Sequence, residues 1–398
     1  MKKDDIILKT DGYVLKTYGR IPLVFEKGEG AVLYDVDGGA YLDFNSGLGV
    51  NALGHCHPAV SALIKKQADS VYHTSNLYHI RTQADLAEKI CASSFGERVF
   101  FCNSGAESVE GALKFARKWG RRFDPPKTDF VAFGNSFHGR TFGALSATMQ
   151  EKYRKGFEPL MPGFKQAVFN DIASVGKAAT GGTAAVIIEP VQGEGGVNVA
   201  DKAFMTDLAS LCRERDILLI VDEVQCGMGR TGKLFAYEHY GIMPDIMTLA
   251  KPLAGGLPIG AVVVGERVRP HILPGEHAST FGGNHFITGV GAGVFDIIAD
   301  RAFLDDVRGK GEYLLSRLDA LADRYPCIGD VRGMGLMIGV EVDFPAAEAV
   351  KYFQEEKILI CSAGPHVVRF IPPLIVTRAD IDRVVETFDR FLGERSAC

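Results

Sequence analysis

From residue 98 onward the chain alternates short apolar runs with longer segments whose apolar residues recur every three or four positions. The runs at 99–102, 130–133, 184–188, 217–221, 246–249 and 261–264 are rich in Val, Ile, Leu and Phe and are bounded by turn residues. Near-continuous apolar runs separated by helical patterns predict a mostly parallel sheet covered on both faces. Between the first two runs, Val109, Leu113 and Ala116 form one stripe of a helix that reaches to about Trp119. A further helix is expected at 58–68, with Pro58 in its first turn, and another from about Phe286. Before residue 60 the pattern is turn-rich, and Asp37-Gly38 sits between two short alternating runs as a hairpin turn. From about Phe303 a long charged helix and short strands near 331, 337–342 and 367–371 indicate a smaller α+β unit. The expected division is an N-terminal segment 1–60 that joins the smaller unit, a large unit 61–294, and a C-terminal unit 295–398.

Length and composition narrow the classes. The chain has 398 residues, enough for two or three domains. Net charge is −5, from 44 basic and 49 acidic residues, which argues against a general nucleic-acid or anionic-membrane binder. No apolar run approaches the roughly 18 residues of a membrane span, and MKKDDIILKT lacks the apolar core of a signal peptide. The eight cysteines show no framework, and Cys398 fits no prenylation motif, so free thiols in a reducing cytoplasm are expected.

Ligands of such sheets lie beyond the carboxyl ends of the strands, so functional residues should follow each run. After 99–102 comes Asn103-Ser-Gly-Ala-Glu-Ser108, where Ser104, Gly105 and Ala106 open a helix whose free N–H groups suit a phosphate; Ser104 and Glu107 also fit a plain capping box. After 130–133 comes Phe137-His138-Gly-Arg140, an aromatic for a flat ring and a cation for a carboxylate, or else a core Phe and a solvated Arg. Glu189 and Glu194 follow 184–188 in a glycine-rich turn. Asp222 follows 217–221 directly. Lys251 follows 246–249, with Pro252 and glycines beyond it. An amine at the end of a buried strand is placed for Schiff-base chemistry, because desolvation lowers its pKa from about 10.4 and frees the neutral nucleophile. Two other motifs are weaker. Gly227-Met-Gly-Arg-Thr-Gly232 matches a dinucleotide fingerprint literally, but five residues separate it from its strand and no helix opens through it. His55-Cys-His57 lacks a second cluster of metal ligands, and no metal is expected.

Taken jointly, the strand-end residues specify one ligand. Pyridoxal phosphate needs a lysine, an acid for its ring nitrogen, a phosphate cradle and flat packing on its ring. Lys251, Asp222, Ser104-Gly105-Ala106 and Phe137 supply these.

The same residues resemble the class III aminotransferases of the fold type I pyridoxal-phosphate enzymes. The resemblance runs from Tyr18-Gly-Arg20 to Phe370. It is carried by Gly28-Glu-Gly30, Tyr41-Leu-Asp-Phe, Val50-Asn-Ala-Leu-Gly-His55, Ser75-Asn-Leu-Tyr78, Asn103-Ser-Gly, Phe137-His-Gly-Arg-Thr141, Glu189-Pro-Val-Gln-Gly-Glu-Gly-Gly196, Val221-Asp-Glu-Val-Gln225 and Leu249-Ala-Lys251. It implies an α/β fold of type I, with a mostly parallel sheet in the large domain and a smaller α+β domain built from both termini.

The resemblance also implies roles. Lys251 holds the cofactor and shuttles the proton, and Asp222 pairs with the ring nitrogen. Phe137 and Val224 sandwich the ring, Gln225 contacts its phenolic oxygen, and Gly105 and Ala106 hold the phosphate, with Ser104, His138 and Glu189 among the cofactor-binding residues. Ala106 stands where threonine is frequent in the class. Thr280 of a second subunit completes the phosphate site, which makes the protein a homodimer with shared sites. Arg140 binds the α-carboxylate of the amine donor, with Ser279 nearby. Arg369 binds 2-oxoglutarate and pairs with Glu194 otherwise. The expected donor is the terminal amine of N-acetylornithine, because ornithine-specific members carry, near the position of Leu48, a tyrosine that engages the free α-amine, and Leu48 cannot do so. Succinylornithine, ornithine and 4-aminobutyrate are the alternatives.

Overall fold

A computed structural model describes residues 2–396. Its centre is a seven-stranded sheet in the spatial order Arg98–Cys102, Gly260–Val264, Ile246–Leu249, Leu218–Asp222, Thr183–Ile188, Asp129–Phe133, Phe164–Ala167. Alternate residues of each strand enter different cores. Ile220, Ile246 and Val262 pack with Val109, Leu113 and Trp119 of the helix Gly105–Gly120, whereas Val221, Met247 and Val263 pack with Leu208 and Val290 on the other face. Both faces are therefore buried, which is why the strands read as unbroken apolar runs.

Two features depart from the sequence expectation. The edge strand Phe164–Ala167 was not anticipated. Its sequence, FKQA, is only partly buried and carries no apolar run. The strand Gly260–Val264 is antiparallel to both neighbours, and the other six share one direction. Its carboxyl end thus points away from the others. The residues that precede it, rather than those that follow, reach the shared end of the sheet.

The termini meet. The strands Phe25–Glu29, Val32–Asp35 and Ala40–Asp43 form an antiparallel ladder, and Ala40–Asp43 also pairs in parallel with Ile358–Leu359. Gly38, at φ +86°, makes the hairpin turn between the second and third of these strands. A second sheet joins Ile328–Met334, Met337–Val342, Val367–Phe370 and Cys361–Ser362. The helices Arg301–Ala322, Ala346–Glu355 and Arg378–Ser396 contact the C-terminal strands or one another. Among the described residues no helix is long and apolar enough to cross a membrane. The seven described cysteines are free, and Cys398 lies outside the described residues.

Candidate active site

Five carboxyl strand ends and the amino end of the reversed strand surround a cavity of about 460 Å³. Lys251 enters it from the end of Ile246–Leu249, in the first turn of the 3-10 helix Lys251–Ala254. It is the only lysine lining the cavity, and its Nζ makes no hydrogen bond or ion pair among the described residues. Burial pulls its pKa down to about 8; Glu194 opposes that fall and Arg369 adds to it. In the cofactor-free protein, labelling of Lys251 by an amine-specific reagent will rise about tenfold per pH unit and level off near pH 8. Peptide mass spectrometry across a pH series reads this out. A rise that continues to about pH 10.4 would mark an ordinary solvated lysine.

Asp222 ends the adjacent strand and is buried. Its Oδ1 accepts hydrogen bonds from Thr248 Oγ1 at 2.9 Å and from the Val224 N–H at 3.1 Å, and its Oδ2 lies 2.7 Å from His138 Nδ1. Thr248 is its register partner on the neighbouring strand, which places the hydroxyl beside the carboxylate. A carboxylate has about four lone-pair sites, so three partners leave capacity for one more donor. Burial disfavours the charged imidazole of His138, but Asp222 outweighs it and the pKa stands above the ordinary histidine value. His138 Nε2 is buried without a partner. Glu189 accepts from the Phe137 N–H at 3.0 Å, and burial lifts its pKa to about 8, so it is protonated at neutral pH.

The helix Gly105–Gly120 starts at the cavity. Ser104 Oγ accepts from the Glu107 N–H at 3.2 Å, while Glu107 Oε2 reaches back to the Asn103 N–H at 2.8 Å, one residue further than a standard capping box. The N–H groups of Gly105 and Ala106 have no intrahelical acceptor, and the positive end of the helix dipole lies there. A Cβ at Gly105 would come within 2.7 Å of Val224 Cγ1, so glycine permits that contact. Phe137, Val224 and Gln225 line the same cavity.

Arg140 also lines the cavity. Its guanidinium carbon lies 4.0 Å from the Tyr153 ring centroid and 5.5 Å from that of Phe137, and it has no acidic partner among the described residues. Arg369 differs: it lies buried on Val367–Phe370, behind the cavity wall. Its Nη1 donates to Gly193 O at 2.7 Å and to Glu194 Oε1 at 2.8 Å, and its Nε donates to Cys361 Sγ at 3.3 Å. Burial pushes the Glu194 carboxyl up, but Arg369 outweighs burial and holds it below the usual range. Gln225 Nε2 spans Glu194 Oε1 and Leu48 O, each at 3.4 Å.

Within the chain, Ser279 and Thr280 do not line this cavity. They line a separate cleft of about 360 Å³. Asn103 borders both spaces and donates to Ser279 Oγ at 3.3 Å, so the start of the helix Gly105–Gly120 stands between them. Gly227–Gly232 forms tight turns, and Arg230 within it donates to Leu336 O and Pro372 O. His55 Nε2 lies 2.7 Å from Asp43 Oδ2. Sequence reasoning missed Thr248 and Tyr153. The polar Thr248 inside an apolar run was the one available signal.

The arrangement suits a phosphorylated, flat, amine-reactive ligand, and the chain belongs to the class-III aminotransferase family, whose model matches residues 13–392. That family is pyridoxal-phosphate-dependent. The chain is 48% identical over 383 residues to the acetylornithine aminotransferase of Methanocaldococcus jannaschii, covering 96% of each. It is 46% identical to that of Aquifex aeolicus over 382 residues, covering 96% of this chain and all of the relative. Ornithine aminotransferase from Toxoplasma gondii superposes with a TM-score of 0.95 at 33% identity, covering 99% of this chain and 96% of that one. N-acetylornithine aminotransferase from Stenotrophomonas maltophilia superposes at 0.84, also at 33% identity, covering 98% and 100%.

Proposed function

We propose that the protein transfers the terminal amino group of N-acetylornithine to 2-oxoglutarate, giving N-acetylglutamate 5-semialdehyde and glutamate, a step of arginine biosynthesis. The observation that carries this reading is the convergence of Lys251 and Asp222, from adjacent strands, on one cavity that also holds a helix start and an unpaired arginine. The curated relatives of that name, similar over nearly the whole chain, support the substrate. The superpositions do not discriminate, since the ornithine enzyme fits at least as well.

The residues fit the cofactor. Gly105 and Ala106 offer N–H groups to its phosphate, beside Ser104. Asp222 keeps one acceptor position for its ring nitrogen, and Phe137, Val224 and Gln225 surround the space for its ring. When bound, pyridoxal phosphate supplies a carbonyl that takes up an amino group and a ring that draws electrons from the substrate carbon. Lys251 Nζ, with its pKa near 8, gives up and regains a proton close to neutral pH. Asp222, oriented by His138, would hold positive charge at the ring nitrogen. Arg140 takes the α-carboxylate of the donor. Glu194 neutralises Arg369 while the donor is bound and moves aside for the second carboxylate of 2-oxoglutarate. Leu48 is 45% exposed and presents no polar side-chain atom to a free α-amine.

Thr280 is assigned to the phosphate site of a second copy in a homodimer. Its loop is held by Asn76, whose amide donates to Ser279 O and Gly282 O, and the adjoining Leu77, Tyr78 and Phe281 are each exposed. Residues 61–294 are assigned as the cofactor-binding unit, with 1–60 and 295–398 as the smaller one, supported by the sheet the termini share. The free thiols suit the cytoplasm.

Steady-state assays with 2-oxoglutarate test the donor. An unpaired ammonium at an apolar rim costs about 1–3 kcal/mol, so kcat/KM for N-acetylornithine should exceed that for ornithine by roughly tenfold or more. A higher kcat/KM for ornithine or 4-aminobutyrate would overturn the assignment.

A further inference from the structure

Arg140 has no acidic partner among the described residues, and its guanidinium lies over the aromatic rings of Tyr153 and Phe137. With no ion pair to hold it, its aim depends on those rings and on the placement of its backbone. That backbone is anchored on both sides. Before it, the His138 N–H donates to Thr148 Oγ1 at 2.9 Å. Gly139, at φ +140°, lies so close to the phosphate helix that a Cβ would stand 3.0 Å from Ala106 Cβ. After it comes the short helix Phe142–Ala147, whose N-cap residue Thr141 makes no side-chain cap.

Another helix supplies that cap. Glu110 Oε1, from Gly105–Gly120, accepts the Gly143 N–H at 2.8 Å and the Ala144 N–H at 3.1 Å. A Cβ at Gly143 would collide with the Glu110 carboxylate, so glycine is needed for this contact. Charge-assisted hydrogen bonds to the first amides of a helix are among the stronger local anchors. The helix that receives the phosphate thus also fixes the segment that presents Arg140.

We propose that Glu110 is a positioning residue for the substrate carboxylate. It holds Arg140 at a fixed place relative to the phosphate helix, so donors are discriminated by their carboxylate. This rests on the reading of Arg140 as the carboxylate ligand.

The test compares two donors that differ only in that group, N-acetylornithine and N-acetylputrescine, in half-reactions without 2-oxoglutarate. Small displacements of positioning groups have large effects, so Glu110→Ala should reduce the preference for N-acetylornithine about tenfold. Its rate with N-acetylputrescine should be unchanged. Glu110→Gln, which retains an acceptor oxygen, should restore most of the preference. Calorimetry with N-acetylnorvaline, which has the carboxylate but no terminal amine, should show about tenfold weaker binding in Glu110→Ala. If Glu110→Ala proves too unstable to purify, Gly143→Ala displaces the same carboxylate and should show the same loss. Arg140→Leu separates the two levels. If it leaves the preference intact, Arg140 is not the carboxylate ligand and the proposal falls with that reading. If Arg140→Leu abolishes the preference while Glu110→Ala leaves it intact or slows both donors equally, the positioning role alone is overturned.

Discussion

Lys251→Ala will abolish transamination and leave the fold in place. The residue lies in a 3-10 turn at a cavity wall and makes no hydrogen bond or ion pair among the described residues, so its removal leaves no partner orphaned. Burial already disfavours its charged form, which means that its loss removes a strained group from the cavity. Chemistry suffers because no other lysine lines that space. A positioned general acid–base contributes about 10²–10⁴-fold, and loss of the covalent anchor adds to this. Single-turnover rates with N-acetylornithine should fall by at least about 10⁴-fold. The thermal midpoint of the cofactor-free protein should stay within a few degrees of wild type. A variant that keeps a tenth of the rate would place the reactive amine elsewhere.

Arg369→Leu should split the two half-reactions. Its guanidinium is buried and bound to Gly193 O and Glu194, out of direct reach of a donor with one carboxylate. The amine half-reaction should change by less than about threefold. The oxo-acid half-reaction loses charge-assisted hydrogen bonds worth about 1.5–3 kcal/mol each, which amounts to roughly 10²-fold or more in kcat/KM for 2-oxoglutarate. A second consequence follows at Glu194. Burial raises its pKa and only Arg369 and its neighbours hold it down. Without Arg369, burial dominates and the carboxyl titrates above its ordinary value. The uncompensated group destabilises the variant by about 3–5 kcal/mol where it stays charged. The double variant Arg369→Leu/Glu194→Gln should recover most of that stability without recovering activity towards 2-oxoglutarate. Equal losses in both half-reactions would show that Arg369 serves the donor as well.

Much of this site was readable before any coordinates. Lys251 and Asp222 were legible because a buried parallel strand announces itself as an apolar run and its end marks the ligand side. Direction was not legible, because an apolar run has the same composition forwards and backwards. The reversal of Gly260–Val264 was therefore concealed. Phe164–Ala167 escaped notice because an edge strand needs no apolar run. The Glu194–Arg369 pair spans distant segments and came only from resemblance. Glu110 had no signal at all, because a glutamate on an amphipathic helix looks solvated until another helix is seen to need a cap. Ser279 and Thr280 show the limit of a single chain, since their positions in sequence say nothing of the cleft they occupy.

The most direct measurement is reduction of the holoenzyme with borohydride, followed by peptide mapping, before and after exposure to N-acetylornithine without 2-oxoglutarate. The expected result is a pyridoxyl group on Lys251 beforehand and its disappearance from that peptide afterwards, with N-acetylglutamate 5-semialdehyde released. A pyridoxyl group on another lysine, or one that persists on Lys251 after the donor is added, would contradict the assignment of this cavity as the site of amine transfer.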